Sequence, residues 1–428
     1  MSFRNRVLFV CVIFAMIVAA CTPTTAATPA AATDAAATES AATEAAAAPA
    51  ASSDGAPEVC AKDAAGCAKI EPGQTIKIGM SGPMTGDNAQ YGVDISQGEK
   101  IAVEDAGDFE GFKFELVVED SQGSAEVGAT IANKFVTDPT IVAIAGNVFS
   151  GETEAAIPIY EKASIPMMSP SATNPPLTTL GSKVFNRIVF TDGAQGQAAA
   201  TYMKDKLGFT QIAILHDGSP YGKGLADTVK ESFTAAGGEV VEYQAITPGE
   251  VDYTATLSAV AAKKPQALYF GGYVAEAIVL VNQMKQTGMQ DVVFFGTDGS
   301  FGQDMLDKTG ANGEGQYAAS MIPPSSPAKD QFDAEYEKEF GQKAGSLTPF
   351  SWTAYDSAAV LISVIKSVAV KGGDGALYIP RATLVDAVRN IKGYQGITGE
   401  ITCAENGECN TAGPTFYVDK GGEWVVAE

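Results

Sequence analysis

From Thr75 onward, short apolar runs alternate with stretches of helical periodicity, and this alternation limits the fold more tightly than any other feature of the chain. Strands are expected at 75–80, 112–119, 141–145 and 165–168, with helices at 91–105, 125–136 and 152–162. Strands buried on both faces read as continuous apolar runs, and helices interleaved with them make a parallel, doubly wound α/β sheet. The alternation then begins again. Strands at 212–215, 240–245, 267–270, 292–295 and 318–322 accompany helices at 194–207, 225–236, 257–263 and 275–287. Two similar runs imply two lobes, and a cleft between lobes favours a ligand. Helices at 330–340, 354–370 and 383–391 and strands at 397–403 and 415–426 are additions to them. The expected division is 75–191 with 322–411 as the N-terminal lobe and 192–321 with 412–428 as the C-terminal lobe.

Composition excludes several function classes. A chain of 428 residues, 46% hydrophobic, suits a sizeable core and exceeds one ordinary domain. Its net charge of -23 argues against nucleic acid, whose phosphates need a basic surface. His216 is the only histidine, so a multi-histidine zinc site is excluded and a Ser–His or Cys–His pair has one candidate base. Standing alone after a strand, it reads as structural. No Gly-x-Ser-x-Gly elbow is present, and Gly218 to Gly224 is one residue short of a P-loop with no Ser or Thr after Lys223. No nucleophile–base pair stands out, so neither an enzyme nor a cofactor is expected.

The first residues read as targeting. Arg4 and Arg6 precede an apolar core, Val7 to Ala20, too short to span a bilayer well, so 1–20 is expected to be a signal peptide. Val18-Ala19-Ala20-Cys21 resembles a bacterial lipobox, which implies lipidation of Cys21 and a stable membrane anchor where several acyl chains sit on one residue. Residues 21–74 are expected to be a low-complexity tether with a short cysteine-bearing segment. The Ala, Thr, Pro and Ser up to about Ala56 cannot bury a core. Cys60 with Cys67 and Cys403 with Cys409 read as local disulfides of an oxidising compartment, since their spacing is unlike that of zinc sites. Asn406-Gly407 between the second pair favours a tight turn.

One loop points to the ligand. The apolar run Ile165 to Met168 ends in a segment stiffened by Pro170, Pro175 and Pro176, which carries Ser169, Ser171, Thr173 and Asn174. Proline restricts the loop in advance, and the carboxyl end of a strand is where open α/β sheets bind ligands. Turn chemistry alone also favours these residues.

Ser169-Pro170-Ser171-Ala172-Thr173-Asn174-Pro175 resembles the ligand loop of the branched-chain amino-acid (Leu/Ile/Val) binding proteins of ABC importers, in the type I periplasmic-binding-protein family. Ile78 to Gly86 with Gln90-Tyr91-Gly92, Gly146 to Ser150, Ile214 to Asp217 with Tyr221-Gly222, Tyr269 to Tyr273 and Phe295 to Gly299 are similar to further cleft loops of that family. The resemblance implies two lobes joined by a three-strand hinge. It implies a ligand carboxylate held at Ser150 and around Ser171, Ala172 and Thr173. It implies an α-ammonium held at Asp298, where leucine-binding members carry Glu, and aromatic walls at Tyr91, Tyr221 and Tyr273. Ser150 also suits a helix N-cap, Asp298-Gly299 a turn, and the tyrosines a core. Phe149 and Gln122 stand where some members have a cysteine pair.

The implied function is capture of an amino acid, branched-chain or related, by a monomeric extracytoplasmic lipoprotein that delivers it to an ABC permease. Binders of amides or urea, and ligand-sensing subunits of signalling receptors, share the fold; Asp298 favours a cationic group over these.

Overall fold

The computed structural model describes residues 55–409 and 413–428. The expected signal peptide at 1–20, Cys21 and the tether up to residue 54 lie outside the described residues, as does the boundary placed at 411/412.

Two parallel sheets carry the fold. The first runs in the order Phe114–Asp120, Ile76–Gly82, Ile141–Ala145, Met167–Ser169 and Phe185–Arg187. The second runs Glu239–Ala245, Gln211–His216, Ala267–Gly271, Val293–Phe295 and Tyr317–Ser320, then adds Thr415–Asp419 and Trp424–Val426 antiparallel at its edge. The most continuous apolar runs occupy the sheet interiors. Every residue of Ile141–Ala145 and of Ala267–Gly271 is buried, which is the physical demand that a doubly covered strand makes on sequence.

After Ser320 the chain returns to the first sheet. Helix Ser351–Val368 packs along helix Ala89–Asp105 and against strands Ile141–Ala145 and Met167–Ser169. Gly98 makes the close approach possible, since a Cβ there would lie 2.5 Å from the Ser351 carbonyl oxygen. Asp94, on the same face, is fully buried and accepts hydrogen bonds from the hydroxyls of Tyr336, Thr348 and Ser351, which ties the returning segment down. The chain thus crosses between the sheets at 188–191, back at 321–326, and again between Cys409 and Gly413. Few connections between two separate cores are the structural basis of hinge motion.

Two expectations are corrected. The segment from 55 to 74 was grouped with the tether, but it folds onto the body. Cys67–Ile70 pairs antiparallel with Leu377–Pro380, Ile70 is fully buried, and Asp63 accepts the N–H groups of Ala382 and Thr383 at 3.0 and 2.9 Å. Its partner strand lies some three hundred residues away, so no local pattern announces it. The expected strand at 397–403 is instead a short hairpin, Tyr394–Gly396 with Gly399–Ile401, outside both main sheets. The Asp356 carboxylate holds it by accepting the N–H groups of Ile397 and Thr398 at 2.9 and 2.8 Å. Disulfides join Cys60 to Cys67 and Cys403 to Cys409, and Gly407 takes a φ of 92° in the turn of the second.

Candidate functional site

A narrow cavity, with about 10 Å³ of free space, lies between the carboxyl ends of the two sheets. Six of the expected residues border it: Tyr91, Ser150 and Ser171 from the first lobe, and Tyr221, Tyr273 and Asp298 from the second. Ala172 and Thr173 do not; both are fully buried behind it.

The first wall is a frame of neutral donors. Strand Ile141–Ala145 ends at Gly146, whose φ of 132° favours glycine, and helix Ser150–Ala163 follows. Glu152 caps that helix by accepting the N–H groups of Val148 and Phe149 at 3.1 and 2.7 Å. Its carboxyl is pushed up to about 7 by burial, against the pull of those N–H groups. Because Glu152 does this work, the Ser150 hydroxyl is not consumed as a cap. It accepts the Asn174 N–H at 3.3 Å and keeps its proton for the cavity, beside a helix N-terminus that favours an anion.

The proline-rich loop is fixed from behind. Ser169 Oγ donates to the Asn147 carbonyl at 2.8 Å and accepts the Ala172 N–H at 3.0 Å, while Ser171 Oγ donates to the Val148 carbonyl at 2.8 Å. Arg187, fully buried, donates to the carbonyls of Ala172 and Asn174 at 3.2 and 2.8 Å and to Thr178 Oγ1 at 3.0 Å. It also pairs with Glu408 of the disulfide loop at 3.0 Å. The backbone of Ala172 is therefore engaged within the loop, whereas Thr173 Oγ1 is buried without a hydrogen-bond partner.

The second wall is acidic. Ser219 caps helix Pro220–Ala235 by accepting the Gly222 N–H at 2.9 Å, and Pro220 fills the first helical position, where a missing N–H costs nothing. Tyr221 therefore starts the helix at the cleft. Its hydroxyl donates to Asp298 Oδ1 at 2.5 Å and accepts the Gly299 N–H at 3.0 Å. Gln195 donates to the same carboxylate oxygen at 2.7 Å and accepts the Asp298 N–H at 3.1 Å. Asp298 is 1% exposed; burial raises its pKa, and the bonds from Tyr221, Gln195 and the Gly299 N–H oppose the rise.

Sequence reasoning missed Asp192. It opens helix Asp192–Thr201, is fully buried, and neither of its carboxylate oxygens has a hydrogen-bond partner. Burial lifts it well above the usual carboxylate range, and the charge of Asp298 adds to the lift, with the Arg187 charge opposing. Its one sequence signal was an acid at the first crossing between lobes. Two like charges buried together disfavour ionisation of both, which a nearby cation would relieve.

The two walls touch. The Tyr91 hydroxyl donates to the Gly299 carbonyl, and the Asn174 amide donates to the Pro220 carbonyl. The lobes are closed on one another. His216, by contrast, accepts the Gly218 N–H on Nδ1 at 3.1 Å and packs on Tyr243, a structural arrangement. Among the described residues, no group of His, Cys, Asp and Glu is arranged to hold a metal, and no helix is long and apolar enough to cross a membrane.

Residues 75–423 match the family model described as periplasmic binding protein. The leucine-, isoleucine-, valine-, threonine- and alanine-binding protein of Pseudomonas aeruginosa is 35% identical over 275 residues, 62% of this chain and 73% of that protein. The Leu/Ile/Val-binding protein of Escherichia coli is 30% identical over 290 residues, 66% of this chain and 77% of that protein. The crystal structure of LivJ from Streptococcus pneumoniae in complex with isoleucine superposes with a TM-score of 0.74 at 27% identity, covering 83% of this chain and 99% of that one. The leucine-binding protein LivK of Thermotoga maritima gives 0.75 at 26%, covering 83% and 98%. The chain belongs to the periplasmic binding proteins, in the type I, two-lobed form shared with the branched-chain amino-acid binders.

Proposed function

We propose that this protein captures an amino acid, branched-chain or related, between its two lobes outside the cytoplasm and delivers it to an ABC permease. The observation that carries the reading is Asp298. It is a buried carboxylate, oriented by Tyr221 and Gln195, and it faces neutral donors across a narrow cavity between the lobes. In this reading the α-ammonium sits at Asp298 with Asp192 behind it. The α-carboxylate lies at the N-terminus of helix Ser150–Ala163, with the hydroxyl of Ser150. Tyr91, Tyr221 and Tyr273 enclose the remainder, and the Ser171–Thr173 segment supports the first wall.

A cation is what two buried acids call for, which sets amides and urea behind amino acids. The protein acts by binding and release; lipidation at Cys21 would hold it, as a monomer, at the membrane beside its permease. The test is a thermal-shift screen against the twenty amino acids and small amides, since a ligand that binds only the native state raises the melting temperature. The expected result is stabilisation by aliphatic amino acids. Stabilisation by amides alone sinks the reading.

A further inference from the structure

The inner cavity is not the only space between the lobes. Outside it lies a solvent-facing hollow bordered by Gly123, Asp217, Pro220 and Glu276. Two side chains border both spaces, Phe149 from the first lobe and Tyr273 from the second. Their rings stack across the cleft with centroids 4.1 Å apart and planes inclined by 27°. Tyr91 meets both edge-on, at 5.3 and 5.8 Å. These are the offset and T-shaped geometries that aromatic rings prefer.

Phe149 is held from three sides. Its N–H donates to Glu152 at 2.7 Å, its carbonyl accepts from Thr153 Oγ1 at 2.8 Å, and its ring lies over Gly123, where a Cβ would stand 3.1 Å away. Ser150, Tyr221 and Asp298 give the cavity its polar lining, and Val148, Phe149 and Phe350 its apolar lining. An amino acid anchored on the polar groups has these apolar side chains left for its own side chain. The closed walls leave only about 10 Å³ of free space, room for about one water, so a bulky side chain is admitted only if the Phe149 ring moves.

We infer that Phe149 is the specificity-determining residue of this site. Its ring, stacked on Tyr273, ends the side-chain pocket, restricts ligands to aliphatic amino acids and separates the closed cavity from the hollow outside. The inference rests on the amino-acid reading above and adds the residue that sets the size limit. Removing the ring joins the cavity to the hollow and makes room for an aromatic side chain.

The experiment is titration calorimetry with alanine, leucine and phenylalanine on the wild type, Phe149→Ala and Phe149→Leu. In the wild type, the better of alanine and leucine is expected to bind at least about tenfold more tightly than phenylalanine, a usual scale for size discrimination in apolar pockets. Phe149→Ala should shrink that ratio by about tenfold or more, through weaker aliphatic binding together with gained phenylalanine binding. Phe149→Leu, which keeps the bulk and loses the stack, should keep most of the ratio. Circular dichroism confirms the fold of each variant, and if Phe149→Ala does not fold, Phe149→Val replaces it. A wild type that binds phenylalanine as well as leucine, or a ratio unchanged within twofold when the side chain is shortened, overturns the inference while leaving the amino-acid reading intact. A wild type that binds none of the twenty amino acids overturns both.

Discussion

The two walls of the cleft are built on opposite electrostatic plans. The first wall, from helix Ser150–Ala163 and the Ser169–Pro175 loop, offers hydroxyls and a helix N-terminus, and its internal groups are consumed in holding the loop still. The second wall carries Asp298, steadied by Tyr221 and Gln195, and a second buried acid, Asp192, lies outside the cavity lining. One wall suits an anion and the other a cation. In the proposed reading a zwitterion would satisfy both only when they meet, which would make recognition and closure one event. Closure also removes water, which strengthens each charged hydrogen bond.

The largest expected effect breaks the second wall. Asp298→Asn keeps the shape but leaves a buried ammonium without its partner. Losing one member of a buried pair costs roughly 3–5 kcal/mol, which is about a hundredfold or more in affinity. Calorimetry with the best amino acid from the screen measures this; binding within threefold of wild type would remove the ammonium from Asp298.

Breaking the first wall should cost less. Ser150→Ala removes one hydrogen bond to a charged group, about 1–3 kcal/mol. Because Glu152, and not Ser150, caps the helix, the melting temperature of the ligand-free protein should stay nearly unchanged. A large drop in stability without ligand would show that Ser150 is structural.

Acidity sharpens the contrast further. Burial raises both Asp192 and Asp298 in the ligand-free closed state. A bound ammonium favours their ionised forms and lowers them again. The affinity contribution is therefore complete above the raised ligand-free pKa values and is lost as pH falls through them. The slope is at most about 1.4 kcal/mol per pH unit for one proton. Titrations in buffers of different ionisation enthalpy should report proton release on binding. A pH-independent affinity from neutral to acid would mean that no carboxylate titrates with the ligand.

The smallest effect should come from outside both walls. Removal of residues 1–54 is expected to leave affinity within twofold, since both walls draw on residues from Tyr91 onward. A loss beyond that would show that the N-terminal segment contributes to the cleft.

Much of this was legible in the chain, and the boundary is physical. Period-2 and apolar runs against helical periods encode which residues are buried on one face, so the strand–helix alternation and the two lobes followed from pattern alone. Asp298 was singled out because Phe295 to Gly299 resembles a cleft loop of the family, and because it stands shortly after an apolar strand and before a glycine. The 403–409 bridge was legible because Asn406-Gly407 dictates a turn within a few residues. These are local statements, and local geometry follows from local sequence.

What the tertiary structure decided are relations between residues far apart. Asp192 became half of a buried acid pair only when the first crossing between lobes brought it beside Asp298. Arg187 became the support of the ligand loop because the disulfide loop returns to it from residue 408. Ala172 and Thr173 lie behind the wall rather than in it, with the Ala172 backbone held by Ser169 and Arg187. Cys67–Ile70 found its sheet in Leu377–Pro380. Phe149, read in the sequence only as a missing cysteine, stacks on Tyr273 of the opposite lobe. Sequence by itself determined which segments are strands, helices and turns, because those depend on neighbours along the chain. Which charges and rings face one another was decided by folding, because burial and proximity between distant segments exist only once the chain has closed on itself.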